Sequence, residues 1–488
     1  VWDGLAIGIG TALTPANIGW VALGCVVGTV VGMLPGLGPI TAIALMIPLA
    51  WGLDPASGLI MMAGVYYGAV FGGSTSSILI NAPGVASTVA TAFDGYPMAR
   101  QGRAGRALAI AAWSSFAGGT IGTLLLLVAA AWLAALALHF QSPEYMLLVI
   151  LALLSVAVFA GRGAVIKSLI TAVLGLMLAT IGTDQGAGIP RFTFGQTDLL
   201  DGLSFVLVAM SAFALAEALR LAAEPEPEDA TPIADGLAIP LGELRAMAPA
   251  VGRSSLLGFV VGVLPGAGAT LASFLAYDLE RRVRRPHAPP GDPIGIAAPE
   301  AANNAACSGS FVPLLTLGVP GSGTTAVLLG VMISYGIEPG PRLLAESPAV
   351  FWGVIVSMYV GNVVLLLLNL PLIPMLARLI RIRRGILVPM VVFFALVGVY
   401  LTSLSDFDLW LMAPFALAAY LLRRFEFPLA PLLLGFILGG LLEDNTRRTL
   451  LLYSDLSFLW QRPQSLLIAL GCVVVTAVGL VRYRRSAP

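Results

Sequence analysis

Charged side chains are what this sequence most lacks. Asp, Glu, Lys and Arg make up 11% of its 488 residues, whereas a soluble domain carries about 25%, so there is too little polar surface to cover a water-soluble globule. The two histidines, His139 and His287, lie far apart and form no zinc-ligand pattern. Cys25, Cys307 and Cys472 are an odd, widely spaced set within apolar sequence, which reads as small buried thiols rather than a disulfide framework. The formal charge balances to +0, so the basic footprint of a nucleic-acid-binding protein is missing and no nucleic acid partner is expected. No charged stretch followed by an apolar run and a cleavage site opens the chain, so no removed signal peptide is inferred.

What is present is apolar: 58% of the residues are hydrophobic and the mean hydropathy is +0.93. The 55 Gly and 33 Pro lie inside apolar segments, which argues against a disordered linker. The fold class expected is an all-α polytopic membrane protein with about 10–12 transmembrane segments. Several apolar segments fall short of the roughly 20 residues a span needs and are expected to be half-helices or re-entrant pieces. Basic clusters at Arg100–Arg106, Arg281–Arg285, Arg378–Arg384, Arg423–Arg424 and Arg482–Arg485 fit a cytoplasmic side from residue 107 onward, with Arg447 and Arg448 as the exception. This map puts the C-terminus in the cytoplasm.

Two motifs recur in the same order. GTVVGMLPGLG (Gly28–Gly38) returns as GFVVGVLPGAG (Gly258–Gly268), offset by 230, and ILINAPGVASTVA (Ile78–Ala90) returns as LTLGVPGSGTTAV (Leu315–Val327), offset by 237. Equivalent loops carry opposite charge bias. Leu279–Pro286 holds four arginines where Trp51–Pro55 holds none, and Arg100–Arg106 has as its counterpart a loop with only Arg342. Such a bias predicts two inverted structural repeats, whose broken helices meet near mid-membrane. The expected organisation is 1–106 as the first repeat, 107–222 as scaffold helices, 223–248 as a cytoplasmic linker, 249–347 as the second repeat and 348–488 as further scaffold helices with a C-terminal tail.

The stretches LPGLGPITAIALMIPLAWGLDP, YYGAVFGGSTSSILINAPG, DGYPMARQGRAGRAL and PEAANNAACSGSFVPLLTLGVPGSGTTAVLLG resemble the large membrane subunit, TctA, of the tripartite tricarboxylate transporters, from about Gly4 to Pro463. The resemblance implies a bacterial inner-membrane secondary transporter, not an enzyme, that imports carboxylates on a Na⁺ or H⁺ gradient. It also implies two partners, a small TctB-like membrane subunit and a periplasmic TctC-like solute-binding protein. No cofactor is expected beyond the coupling ion.

The residues themselves suggest how an anion would be held. Each Pro-Gly break ends one short helix and starts another, whose unpaired N–H groups and positive dipole end suit a carboxylate. The candidate substrate-binding set is Ser74, Thr75, Ser76, Asn81, Pro83 and Gly84 in the first copy, and Asn303, Asn304, Pro320, Gly321, Ser322, Thr324 and Thr325 in the second. Ser77, Gly318 and Glu300 are candidate cation ligands. Glu300 has three readings: ion ligand, proton carrier, or cap of a helix beginning near Ala301. Pro35, Gly36, Gly38 and Pro265, Gly266, Gly268 form matching hairpin turns without side-chain donors. Residues 56–92 and 298–337 contain no Lys, Arg or His, so the anion must be balanced there by helix ends and co-bound cations. Asn81 and Asn304 are expected face to face. The alternatives are an ion-coupled carrier or channel without a binding protein, and an intramembrane enzyme. The enzyme would need paired acids, a Ser–His or Ser–Lys pair or a metal cluster, and the apolar segments offer none.

Overall fold

The computed structural model describes residues 2–34, 36–159, 164–184, 186–223, 236–266, 268–284, 289–372, 375, 384–453 and 455–486. They form an almost wholly helical molecule. Its main helices are α1 (Trp2–Ala12), α2 (Pro15–Met33), α3 (Gly38–Trp51), α4 (Pro55–Ile80), α5 (Val89–Met98), α6 (Ala104–Ala137), α7 (Ser142–Phe159) and α8 (Val165–Leu178). After these come α9 (Phe205–Ala223), α10 (Leu241–Val263), α11 (Gly268–Arg284), α12 (Pro293–Leu317) and α13 (Gly323–Ser334). The remainder is α14 (Pro348–Asn369), α15 (Arg384–Ser403), α16 (Asp406–Arg424), α17 (Ala430–Leu452) and α18 (Pro463–Ser486). A two-residue antiparallel hairpin, with Gly182 opposite Arg191 and Thr183 opposite Pro190, joins α8 to α9. Its Asp184 is gripped by Arg447 of α17 at 2.7 Å, and that hydrogen-bonded pair holds the Asp184 carboxyl well below its usual range.

Among the described residues nine helices are long and apolar enough to cross a membrane. Three more long helices, α12, α16 and α17, fall outside that set because of Glu300, Asn303 and Asn304 in the first, Asp406, Asp408, Arg423 and Arg424 in the second, and Glu443, Asp444, Arg447 and Arg448 in the third. Outward-facing Leu124, Val128 and Trp132 on α6 and Leu467 and Val473 on α18 are more than half exposed, as lipid-facing side chains are.

The duplication appears element by element. In the first copy α2, a glycine turn, α3, α4, a break and α5 follow one another. The second copy repeats them as α10, a turn, α11, α12, a break and α13. Each long central helix starts with an Asp cap followed by Pro: Asp54 accepts from the Ser57 N–H, and Asp292 from the Ile294 N–H. The first copy ends where Gly102 (φ +79°) kinks the chain before α6. The second begins earlier than the sequence suggests, because α10 starts at Leu241 behind Pro240, within the segment assigned to the linker. Residues 224–235 of that linker lie outside the described residues, as does Pro35.

Small residues bring the helices of each copy into backbone contact. A Cβ on Gly28 would lie 2.2 Å from the Val65 carbonyl oxygen, and one on Gly258 would lie 2.2 Å from that of Ala302. Gly32 meets Ala69 and Gly262 meets Ala306 in the same way, with 2.1 and 2.3 Å to the carbonyl oxygens. These pairs are related by the offsets 230 and 237, so the duplication extends to individual contacts. In lipid, where hydrophobic exclusion does not drive helices together, close packing of this kind holds them. It leaves α4 and α12 enclosed by neighbours, with α6 laid on α12 through Gly118 and Gly122.

Gly262→Ala is expected to lower the thermal midpoint of the purified protein or prevent its assembly, since its Cβ has no room. Gly252→Ala on the same helix, where a Cβ meets nothing within 4 Å, should leave the midpoint unchanged.

Candidate functional site

Both central helices stop for the same local reason. Asn81 takes up φ +52° and ψ +25°, and Gly318 takes up φ +68° and ψ +22°. This left-handed conformation ends a helix and is entered at low cost only by Gly and, next best, Asn. The chain then passes through Pro83-Gly84 or Pro320-Gly321. Gly84 lies against the Gly32 carbonyl, where a Cβ would come within 1.9 Å, and its N–H donates to Ser76 Oγ at 3.0 Å. Gly321 lies between Ser310 and the Gly262 carbonyl, and its own carbonyl accepts the Gly266 N–H at 2.9 Å. Each break is therefore tied to its own copy's glycine-lined helix pair.

Beyond the breaks new helices begin. In the second copy Ser322 caps α13, exchanging hydrogen bonds with Thr325 in a capping box. In the first, one 3₁₀ turn (Ala86–Thr88) leads into α5, with Ser77 Oγ donating to Thr88 Oγ1 at 2.7 Å. The two glycine turns start helices as well, α3 at Gly38 and α11 at Gly268.

These four starts share one cavity of about 680 Å³. Gly36, Gly38 and Pro39 line it at the start of α3, Val85 to Ser87 before α5, Gly266, Gly268 and Thr270 at α11, and Ser322 to Thr324 at α13. The first N–H groups of a helix have no intrahelical partner, and each N-terminus behaves as roughly half a positive charge. Four of them border one cavity, where their dipoles favour negative charge.

The structure divides the residues proposed from sequence. Gly36, Gly38, Gly266, Gly268, Pro83, Gly84, Ser322 and Thr324 are on the cavity wall. Ser76, Ser77, Pro320, Gly321, Gly318 and Thr325 lie behind it, in the breaks and caps just described, with Pro265 in the second turn. Asn81 and Asn304 do not face each other across the cavity. Asn81 is exposed at the end of α4, and Asn304 is fully buried within α12, its Nδ2 donating to the Glu300 carbonyl at 3.0 Å. Position 81 is filled by the need for a left-handed cap, which Gly318 meets in the other copy.

Ser74 belongs to a second cluster. Glu300 is fully buried, and its carboxylate accepts from Ser74 of α4 and Ser115 of α6, each at 2.8 Å, and from Thr91 of α5. No Lys or Arg pairs with it among the described residues. Ser74, Thr75 and Ser115 also border a space of about 10 Å³. One turn along α12, Asn303 Nδ2 and Oδ1 and Asn304 Oδ1 are buried without a hydrogen-bond partner among the described residues. Glu300 does not cap a helix, because α12 already begins at Pro293 behind Asp292.

Sequence reasoning missed Ser115, Thr41, Tyr66, Phe213 and Arg423. Ser115 joins the Glu300 cluster from α6, and the others line the cavity, Phe213 and Arg423 from α9 and α16. Thr41 and Tyr66 stand within the family-like stretches and Arg423 within a basic cluster, but nothing in the sequence singles out these positions.

With this arrangement in view, the comparison with known proteins is decisive. Residues 18–434 match the Tripartite tricarboxylate transporter TctA family. The chain belongs to that family. It is thus a multi-pass membrane protein of the kind that forms the large subunit of a tripartite tricarboxylate transporter, not of an enzyme family. It is 43% identical over 489 aligned residues, 99% of this chain and 97% of the relative, to an uncharacterised 52.8 kDa protein of Agrobacterium vitis named for its place 3′ of ttuC′ in the TAR-I region. A second uncharacterised Agrobacterium vitis protein, named for the TAR-II ttuC′ 3′ region, is 40% identical over 235 residues, 47% of this chain and 97% of its own length. No solved structure matches.

The TctA chain should tolerate Asn81→Gly with little change in thermal midpoint, whereas Asn81→Val should cost about 1–2 kcal/mol, because a β-branched residue resists the left-handed conformation. Denaturation in detergent of the two variants beside the wild type measures the difference.

Proposed function

We propose that this TctA chain forms the path by which a secondary transporter imports di- or tricarboxylates across the bacterial inner membrane, in symport with Na⁺ or H⁺. The observation that carries this reading is the convergence of four helix N-termini, two from each copy, on one cavity. Gly84, Ser322 and Thr324 would touch the cargo. Pro83, Pro320 and Gly321 shape the breaks, Ser76, Asn81 and Thr325 hold them, and the turns at Gly36–Gly38 and Gly266–Gly268 complete the wall. An anion held mainly by backbone dipoles is sensitive to any nearby cation, which couples the two bindings.

The coupling ion belongs at Glu300. A buried carboxylate with hydroxyl oxygens of Ser74, Thr91 and Ser115 around it, and the unmatched amides of Asn303 and Asn304 one turn away, suits a proton or a Na⁺ ion. Ser77 and Gly318 then act on the breaks rather than on the ion.

Opposite loop charge supports opposite orientation of the two copies, and their matched broken helices support an elevator in which the copies move together against the remaining helices. In that motion α6 travels with the copies, because Gly118 and Gly122 interlock with α12 and Ser115 reaches Glu300. A TctC-like periplasmic protein delivers the cargo, a TctB-like subunit completes the assembly, and the C-terminus lies in the cytoplasm.

Reconstitution in proteoliposomes with both partners tests the reading. Accumulation of labelled tricarboxylate should need the binding protein and an imposed Na⁺ or pH gradient, and accumulation without them would overturn it. Glu300→Gln should abolish gradient-driven accumulation while counterflow exchange of labelled for unlabelled cargo persists. Unimpaired accumulation in that variant would remove Glu300 from the coupling.

A further inference from the structure

One guanidinium reaches the cavity, and it comes from neither copy. Arg423, at the end of α16, is the sole Lys, Arg, Asp or Glu on the wall among the described residues, the rest being glycine, proline, apolar and hydroxyl residues. Its guanidinium lies over the Phe213 ring, 5.7 Å from the centroid, and Phe213 lines the same cavity. Its Nη1 donates to Glu217 Oε2, and Glu217 is fully buried on α9. Arg220 Nε donates to the other oxygen of that carboxylate at 2.9 Å. Two arginines thus share one buried glutamate.

The group is also wedged against the first copy. A Cβ on Gly36 would overlap Arg220 Nη2 and Glu217 Oε1, so the glycine turn and the charge cluster occupy adjoining space. Of the five N–H donors of a guanidinium, Arg423 uses one on Glu217 among the described residues. The others have no partner among the described residues, and Arg423 lines the cavity. Helix N-termini offer diffuse positive potential to any anion, but a planar guanidinium fits one carboxylate in two parallel hydrogen bonds.

We propose that Arg423 binds a second carboxylate of the cargo, so that it sets the preference for di- and tricarboxylates over monocarboxylates, while Glu217 and Phe213 hold its guanidinium at the wall. The proposal rests on the carboxylate-transport reading above and adds to it the residue that counts the charges. The cargo then bridges the two copies and α16, and its additional carboxylates contact a helix outside the repeat.

Affinities of the full chain in lipid nanodiscs for butyrate, succinate and tricarballylate, measured by thermal stabilisation, test the assignment. The wild type should bind succinate and tricarballylate about tenfold or more tighter than butyrate, since a charge-assisted hydrogen bond is worth at least that factor. Arg423→Gln should erase the preference, and Arg423→Lys should retain part of it. Because Arg423→Gln also takes one of its two arginines from the buried Glu217, the double variant Arg423→Gln/Glu217→Gln should recover thermal stability yet still lack the preference. Persistence of the preference in Arg423→Gln, or its return in the double variant, would reduce Arg423 to a partner of Glu217. Failure of the wild type to bind any of the three would instead sink the carboxylate reading itself.

Discussion

A helix that breaks inside a membrane leaves N–H and C=O groups that hydrocarbon cannot satisfy. Everything distinctive in this molecule follows from how that demand is met. The breaks at Asn81–Val85 and Gly318–Ser322 have their carbonyls and amides partly taken up by their own copy, as in the Gly266–Gly321 and Gly84–Ser76 hydrogen bonds. Pro83 to Val85 and Ser322, at these breaks, line the cavity. The same stop-and-restart that would be a defect in an ordinary span here brings helix N-termini to the wall of a cavity.

Holding broken segments in place requires neighbours that come very close, and glycine and alanine allow it. The spacing of four residues among Gly24, Gly28 and Gly32, answered by Gly64, Gly68 and Gly72, lets α2 and α4 lie backbone to backbone. Gly258 and Gly262 serve the second copy in the same way. Such packing fixes the helices of each copy against one another. Outside the copies, Glu217 and Arg220 of α9 meet the first glycine turn at Gly36.

Two polar centres of different character result. The cavity is lined by backbone and hydroxyls with a single guanidinium and is suited to something large and negative. The Glu300 cluster is small, with hydroxyls and carboxamides around one carboxylate, and is suited to something small and positive. The two adjoin along the chain: Glu300 of α12 belongs to the second centre, and Ser322 to Thr324, beyond the break that ends α12 at Leu317, line the first. One helix and its break thus connect the two, which is a physical route by which occupation of one is felt at the other.

Much of this was legible in the residues alone. Scarce charge and long apolar runs specify membrane helices because lipid tolerates little else. The recurrent Pro-Gly and Gly-x-Gly motifs specify turns and breaks through backbone dihedrals, which are local properties, and the repeat offsets foretold which helices would pair. Side-chain destinations were not legible. Asn81 and Asn304 are both amides beside a break, yet one caps a helix in the left-handed region and the other is buried in the middle of α12. Glu300 gave no sign of the three hydroxyls that surround it from α4, α5 and α6. Arg423 looked like one of many basic residues at a helix end. Local backbone preference and hydropathy belong to short stretches and can be read one stretch at a time. Which polar groups end up sharing a cavity depends on contacts between residues hundreds of positions apart, and only the folded packing decides those.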